Sequence, residues 1–284
     1  MNLLGAGTLS TYIITGAWSK AAAKEALRFG RVQSAFSGSG NRIPADEELE
    51  VIPETSYCAY CDNETIHGIE FERVPVLKDA EAVPLVADMT SNFLTRPVDV
   101  NKFGLFYASA QKNLGIAGLA VIVLRRDLLG LAGTEVPTLL NYSVYSRTDS
   151  VPNTPPVFQL YVANLMAQWI EAHGGVAVMD EYARARAKIV YDAIDAMPEM
   201  YVSHVERESR SRVNAVFRLK DEALTALFVK EAAEAGLANL AGHRAVGGIR
   251  ASMYNAMPIE GVQKLADFMK TFAHRHGRTQ SAVN

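Results

Sequence analysis

Two ionisable residues of this sequence lie at the ends of apolar runs, where a charged group is unusual. Lys112 follows "FGLFYASAQ" and precedes "LAVIVL", and Asp88 ends "PLVAD". Partial removal from water lowers the pKa of a lysine, so its amine can attack a carbonyl group and form a Schiff base. A carboxylate in such a setting needs a cationic partner, and a protonated pyridinium nitrogen would provide one. Each residue also has an ordinary alternative, a lysine that reaches solvent and an aspartate that caps a turn.

The segments around these residues predict the strands of a sheet. "AVPLVADMT", "FGLFYASAQ" and "LAVIVLRRDLL" are apolar with little alternation, which is typical of strands buried on both faces. "YCAYC" predicts another strand, and "SGSGNRIP" predicts a loop. Residues 8 to about 28, in which Ala, Lys and Glu dominate "AWSKAAAKEALRF", predict a helix.

The second half of the sequence alternates helices and strands. Residues 130–156 predict a loop-rich connection, after which "PPVFQLYVANLMAQWIEAHGG" predicts a helix between prolines and glycines. Further helices are predicted by "VAVMDEYARARAKIVYDAIDAM", "DEALTALFVKEAAEAG" and "IEGVQKLADFMKTFAHRHG", with a polar tail after Gly277. "RVNAVFRL" and "GGIRASMYN" predict strands. We therefore expect an α/β fold, with a large domain over residues 1–165 that has a mostly parallel central sheet, and a small C-terminal α+β domain over residues 166–284.

Composition narrows the class of protein. The chain has 284 residues, 49% of them hydrophobic, and a net charge of −3. This charge gives no reason to expect a nucleic acid or an anionic membrane as partner. The N-terminus lacks the pattern of a signal peptide, and no apolar run reaches the length of a membrane helix. We expect a soluble, cytoplasmic protein.

Two short motifs have several interpretations. Cys58 and Cys61 form a C-x-x-C pair, which could be a redox dithiol or half of a zinc site. Because there is no second pair and His67 alone cannot complete a tetrahedral set, two ordinary reduced cysteines are the favoured interpretation, and no metal is expected. The phosphate-binding pattern G-x-x-x-x-G-K-[ST] is absent, and "SGSGNR" is only a fragment of a dinucleotide motif.

A series of segments, in order along residues 2–277, resembles one family. They include "ADMTSNFLTRPVDVNKFGLFYASAQKNLGIAGLAVIVLRRDLLG", "YCDNETIHGIE", "NTPPVF" and "GHRAVGGIRASMYNAMPIEGV". The resemblance is to the phosphoserine aminotransferases, class V enzymes of fold type I that depend on pyridoxal 5′-phosphate (PLP). The residue before the lysine is Gln111, as in that family, whereas the cysteine desulfurases of class V have a histidine there.

The resemblance implies the roles of the cofactor-binding residues. Lys112 would form the internal aldimine with PLP and later move a proton between substrate and cofactor, and Asp88 would keep the pyridine nitrogen protonated. Trp18 would stack on the ring and Thr65 would hydrogen-bond near its phenolic oxygen. Trp18 could instead be a partly buried core residue, and Thr65 a turn residue. Gln111 would contact the cofactor phosphate.

The phosphate is also reached from a second subunit in this family. Asn153 and Thr154 would contact it across a homodimer with shared active sites, although "PNTPP" alone predicts only a turn. His243, Arg244 and Arg250 would bind the phosphate and carboxylate of the substrate, because a guanidinium pairs with both anions bidentately. An arginine considered alone more often has a solvated surface role.

The implied activity is transamination between L-glutamate and 3-phosphohydroxypyruvate in serine biosynthesis, and also on the phosphorylated hydroxythreonine of vitamin B6 synthesis. Family members carry about 80 further residues before the first residue of this sequence, with a Gly-rich turn that binds the cofactor phosphate and an "HR" pair for substrate. We expect their absence to impair activity. The alternatives are another class V PLP enzyme, such as a lyase or a different transaminase, and a truncated chain that is not an enzyme and binds PLP weakly or serves only as a partner subunit.

Overall fold

The apolar runs of the first half are the strands of one central sheet. The computed structural model describes residues 1–5 and 7–277, so the polar tail expected after Gly277 lies outside the described residues. The strands of this half are β1 (Leu9–Ile14), β2 (Arg31–Ser37), β3 (Cys58–Cys61), β4 (Asn63–Glu64), β5 (Ile69–Glu70), β6 (Leu85–Asp88), β7 (Leu105–Ser109) and β8 (Ala120–Leu124). The sheet has the order β2-β1-β3-β6-β7-β8, and all neighbours are parallel except β7 and β8. The expected α/β class with a mostly parallel sheet is confirmed.

The middle strands of this sheet are buried on both faces, as their composition predicted. Along β3, Cys58 and Tyr60 belong to the apolar cluster on one face, whereas Ala59 belongs to the cluster on the other. The neighbouring strand β6 divides in the same way, with Leu85 on the first face and Val86 on the second. A strand covered on both sides needs apolar residues at every position, which explains the missing alternation.

The prediction that β8 is buried on both faces is wrong. This strand is the antiparallel edge of the sheet, and its side chains Ile122 and Val123 are 41% and 38% exposed. An apolar sequence indicates that a strand lacks charged side chains, but it does not show whether the strand is at the centre or at the edge of the sheet. In the described residues, β8 therefore presents apolar surface that the middle strands do not.

The prediction of a helix from residue 8 to about 28 is wrong for its first part. Residues Leu9–Ile14 form β1, which lies between β2 and β3 and has buried residues over most of its length. Only Ala17–Ala26 is helical, as α1. The segment "LSTYII" is rich in β-branched and aromatic residues that favour a strand, and the Ala-rich segment after Gly16 dominated the composition of the window. The strand β2 was not predicted at all.

The second half forms a smaller sheet covered by helices. Its antiparallel strands are β9 (Tyr201–Val202), β10 (Asn214–Leu219) and β11 (Ile249–Ser252), in the order β11-β10-β9. The helices after α1 are α2 (Tyr142–Arg147), α3 (Val157–Ala172), α4 (Gly175–Asp195), α5 (Thr225–Glu234) and α6 (Ile259–His276). The helices α4, α5 and α6 share one apolar core with this sheet. Residues 130–156 contain α2 and are otherwise loop, and the domain boundary predicted at residue 165 falls inside α3.

Two buried ion pairs lie near the sheets, one within the first half of the chain and one between β5 and the segment before β10. Arg96 pairs with the fully buried Asp62 at 2.8 Å, directly after β3. Glu70 of β5 is also buried and pairs at 2.9 Å with Arg212, which precedes β10. Arg212 continues to Asp180 of α4 at 2.7 Å. Buried charges need such partners, and the pair of Glu70 with Arg212 links β5 to the segment that leads into β10 of the small sheet. No helix in the described part of the chain is both long and apolar enough to cross a bilayer.

Candidate active site

The carboxyl ends of β1, β3, β6 and β7 lie along one edge of the central sheet, because these strands are parallel. Ligands of open α/β sheets bind at this edge. Four of the residues singled out from the sequence follow these four strand ends: Trp18 after β1, Thr65 after β3, Asp88 at the end of β6, and Lys112 after β7. The fold thus brings together residues that are far apart in the sequence.

Lys112 is half-buried in the turn after β7. Burial is the main cause that lowers the pKa of its ammonium group, and the positive charge of Arg250 adds to the decrease. The negative charge of Asp88 acts in the opposite direction without cancelling it. Lys112 therefore loses its proton more readily than an exposed lysine, which is the condition for a nucleophilic amine and for a group that accepts and returns a proton.

Asp88 is oriented by its own strand end. Its Oδ1 accepts a hydrogen bond from the backbone N–H of Thr90 at 2.9 Å. Tyr107 of β7 is paired with Asp88 in the sheet, and burial, together with the charge of Asp88, raises the pKa of this phenol. Asp88 lines a cavity of about 1440 Å³, which also contains Trp18 and Asn153. A carboxylate at the wall of such a cavity can pair with a cationic ring nitrogen.

Trp18 and Thr65 are joined by a hydrogen bond. The indole Nε1 of Trp18 donates to Oγ1 of Thr65 at 3.0 Å, and Thr65 is itself buried. Because this bond uses the hydroxyl oxygen as acceptor, the hydroxyl proton can be donated to another oxygen. Trp18 is 47% exposed, in the first turn of α1. Such an exposed indole, held by its nitrogen, offers a ring face to a flat ligand.

The sequence analysis missed Glu64, which holds Trp18 in place. The buried carboxylate of Glu64 accepts the backbone N–H groups of Trp18 at 2.9 Å and Ser19 at 2.7 Å, and the Ser19 hydroxyl at 2.6 Å. These donors are the free N–H groups at the start of α1, where a negative charge is also favoured by the helix dipole. Gly16 lets the carboxylate approach, since a Cβ there would lie 2.6 Å from Cδ of Glu64. The sequence signal that could have identified Glu64 is the presence of a charged residue, in "NET", within a segment that is buried.

The substrate residues expected from the sequence lie on and before β11. Arg250 is on β11 and near enough to Lys112 to affect its pKa. His243 is half-buried in a turn closed by the Gly247 N–H donating to its carbonyl at 2.8 Å, and Arg244 in this turn is exposed. The structure thus brings Arg250 to the site, whereas Arg244 lies at the surface.

The phosphate-binding residues expected from the sequence are exposed. Gln111, Asn153 and Thr154 all have exposed side chains in the single chain. Gln111 directly precedes Lys112, and Asn153 lines the large cavity. Their roles toward a phosphate group stay predictions.

Cys58 and Cys61 are both buried free thiols of β3. Burial raises the pKa of Cys58 to about 12, and burial likewise raises the pKa of Cys61. The thiol form therefore predominates, and neither side chain has the exposed, low-pKa character of a redox dithiol. Two ordinary reduced cysteines remain the interpretation of this pair.

The residues at this edge suit PLP. A lysine with a lowered pKa, a carboxylate at the cavity wall and an exposed indole match the aldehyde, the pyridine nitrogen and the ring face of this molecule. The fold and these side chains together define a PLP-dependent enzyme of fold type I. The family model described as Aminotransferase class-V matches residues 11–265.

Named relatives narrow the class. A phosphoserine aminotransferase of Chromobacterium violaceum is 45% identical over 280 residues, which cover 98% of this chain and 77% of that protein. A solved phosphoserine aminotransferase from Bacillus circulans subsp. alkalophilus is 40% identical with a TM-score of 0.92, covering 95% of this chain and 75% of that one. The PLP-bound phosphoserine aminotransferase of Trichomonas vaginalis is 39% identical with a TM-score of 0.88, covering 95% and 77%. The chain belongs to the class-V aminotransferases, among the phosphoserine aminotransferases.

Proposed function

We propose that this aminotransferase moves the amino group of L-glutamate to 3-phosphohydroxypyruvate, which gives 2-oxoglutarate and O-phospho-L-serine. The observation that carries the proposal is the half-buried Lys112 after β7, at the sheet edge where β6 ends with Asp88, near enough to Asp88 and Arg250 for both charges to affect its pKa. The phosphoserine aminotransferases that are 39–45% identical to this chain support the substrate class. Another class V enzyme is not favoured, because these relatives share 39–45% identity with the chain over 95–98% of its length.

Each residue of the site has a defined task in this proposal. PLP, when bound, supplies a ring that withdraws electrons from the substrate carbon. Asp88 holds a proton at the pyridine nitrogen by the charge it presents at the cavity wall. Lys112 would take the proton from the α-carbon of the amino acid and deliver it to the bound cofactor, and it would move a proton in the opposite direction in the second half-reaction, because its pKa lies below that of an exposed lysine. Trp18 and Thr65 fix the ring plane and the phenolic oxygen.

The anionic groups of substrate and cofactor require separate binding sites. In this proposal Arg250 binds the α-carboxylate of the substrate, and His243 and Arg244 bind its distal anionic group. Gln111 contacts the cofactor phosphate in the same subunit, and Asn153 and Thr154 reach it from the partner subunit of a cytoplasmic homodimer. Residues 1–165 would then form the cofactor-binding domain and residues 166–284 the smaller domain.

A two-stage assay tests this function. The PLP-loaded protein is mixed with L-glutamate alone, and the absorbance of the cofactor and the release of 2-oxoglutarate are followed; 3-phosphohydroxypyruvate is then added and phosphoserine is measured. We expect stoichiometric 2-oxoglutarate in the first stage and phosphoserine in the second. Arg250→Lys should weaken glutamate use at least tenfold, because a lysine cannot pair bidentately.

The matched control is Arg28→Lys, which changes an exposed arginine of the surface pair with Glu25. This variant should behave as the parent does. If the loaded parent forms no 2-oxoglutarate from glutamate, or forms it while 3-phosphohydroxypyruvate gives no phosphoserine, the proposed reaction is wrong.

A further inference from the structure

Two buried asparagines connect the segments that carry Asp88, Lys112 and Arg250. Oδ1 of Asn113 accepts a hydrogen bond from the backbone N–H of Asn255 at 3.0 Å. Nδ2 of Asn113 donates to the carbonyl of Ser91 at 3.2 Å. Both asparagines are only 2% exposed, so neither bond competes with water.

Asn255 forms further hydrogen bonds through its side chain and its carbonyl group. Nδ2 of Asn255 donates to the carbonyl of Leu94 at 2.9 Å, and Leu94 has a φ of +63°, a conformation that non-glycine residues rarely adopt. The buried guanidinium of Arg186 in α4 donates to the carbonyls of Asn255 at 3.2 Å and Met257 at 2.9 Å. The segment after β11 is thus held from both sides, by the large sheet and by α4.

These hydrogen bonds join three backbone segments at points only a few residues from the site residues. Asn113 directly follows Lys112, Ser91 is in the turn that begins at Asp88, and Asn255 is in the segment that leaves β11 soon after Arg250. A backbone shift at any of the three segments is therefore passed to the other two within a few residues. The amine, the carboxylate and the guanidinium belong to different strands, and these bonds join the strand ends to one another.

We propose that Asn113 and Asn255 are positioning residues that hold Arg250 at a fixed distance and orientation from Lys112. The inference rests on the roles of Lys112 and Arg250 in the proposed function. Substrate bound by its carboxylate to the small sheet must present its α-carbon to an amine on the large sheet. An error of about 1 Å in such a geometry can lower a rate roughly 100-fold, even when every reacting group is present.

A stability role alone would have different consequences. If the asparagines only filled a buried polar space, their loss would lower the folded fraction and leave the turnover of each folded molecule unchanged. The positioning role predicts a lower kcat of the folded protein, with a smaller change in KM, because the binding groups themselves remain. Cofactor binding should persist, since Asp88, Trp18 and Thr65 do not lie in the contact.

Asn113→Ala removes the contact, and Asn113→Asp keeps an oxygen that can accept from the Asn255 N–H. The matched control is Tyr201→Phe, which removes a buried hydrogen bond of 2.9 Å to the carbonyl of Met269 within the small core. Thermal unfolding, the amount of bound PLP, and kcat and KM for glutamate are measured for each. We expect kcat of Asn113→Ala to fall about 10- to 100-fold with KM within about threefold. Asn113→Asp should recover only a small part of the loss, because its carboxylate can accept from the Asn255 N–H but cannot donate to the Ser91 carbonyl, and Tyr201→Phe should keep the parental kcat.

Hydrogen exchange of the protein without cofactor gives a readout that does not depend on activity. The amide of Asn255 should be protected in the parent and in Tyr201→Phe, and should exchange at least tenfold faster in Asn113→Ala. A parent without glutamate activity would refute the proposed function. The exchange result would still show whether the hydrogen bond from Asn113 protects the Asn255 amide. Unchanged kcat in a folded Asn113→Ala protein, or an unprotected Asn255 amide in the parent, would overturn the inference.

Discussion

Glu64→Gln tests whether the buried carboxylate at the start of α1 holds the cofactor-facing tryptophan. The side chain of Glu64 accepts three hydrogen bonds, from the N–H groups of Trp18 and Ser19 and from the Ser19 hydroxyl. Glutamine has one acceptor oxygen, and its NH₂ group would face an N–H donor. The variant therefore loses at least one bond to a charged acceptor, which contributes about 1.5–3 kcal/mol, and the favourable interaction with the helix dipole, about 0.3–1 kcal/mol.

These contributions predict a decrease of about 2–4 kcal/mol in the free energy of unfolding. Urea titrations followed by circular dichroism measure this quantity, and tryptophan fluorescence in a Trp169→Phe background reports the surroundings of Trp18, since the chain has two tryptophans. The control is Glu50→Gln, an exposed glutamate of the loop before β3, whose replacement should change stability by less than about 0.5 kcal/mol.

The Glu64→Gln variant should also change the affinity for PLP, through the position of Trp18. With the start of α1 loosened, the Nε1 donor to Thr65 is less well fixed, so PLP should bind more weakly than in the control. A loss of stability below about 1 kcal/mol together with parental PLP affinity would show that the carboxylate does not have the role inferred from its three bonds.

Three further predictions concern the site and its supporting ion pair. Borohydride reduction of the PLP-loaded protein should label Lys112 in peptide maps, and label on another lysine would contradict this; when PLP is added to the cofactor-free protein, the rate of imine formation should rise with pH through a midpoint below about 10.4, the ordinary pKa of lysine, because burial favours the neutral amine. Asp88→Asn should retain PLP but slow the glutamate half-reaction at least 100-fold in stopped-flow absorbance, since an amide cannot keep the ring nitrogen protonated, and a near-parental rate would refute the role. Arg96→Leu should lower the free energy of unfolding by about 3–5 kcal/mol by leaving Asp62 buried without its partner, and adding Asp62→Leu should recover part of that loss in the same urea titration.

The sequence predicted best what depends on local pattern. The strand ends at Asp88 and near Lys112 follow from apolar runs of strand length, and α4 and α6 follow from apolar residues at helical spacing. Parallel strands then place the two residues at one edge without further information. The resemblance to the family added the chemistry of Trp18 and Thr65, which no local pattern reveals.

What depends on distant partners was not predictable in this way. The edge position of β8 is decided by the order of strands in the sheet, and its composition is that of a central strand. The strand β1 was hidden by the Ala-rich helix that follows it. Glu64 and Asn255 act through hydrogen bonds to residues far away in the chain, so their spacing has no periodicity that a sequence pattern could detect.

The contact between Asn113 and Asn255 joins two residues that are synthesised at different times. The two residues are 142 positions apart, and a ribosome adding about 5–20 residues per second needs about 7–28 seconds to cover that interval. During this time the strand ends bearing Asp88 and Lys112 are already made, whereas β11 has not yet been translated. The nascent polypeptide thus passes through a stage in which Lys112, the residue expected to bind PLP, is present, and Arg250, the residue expected to bind the amino-acid substrate, is not yet made.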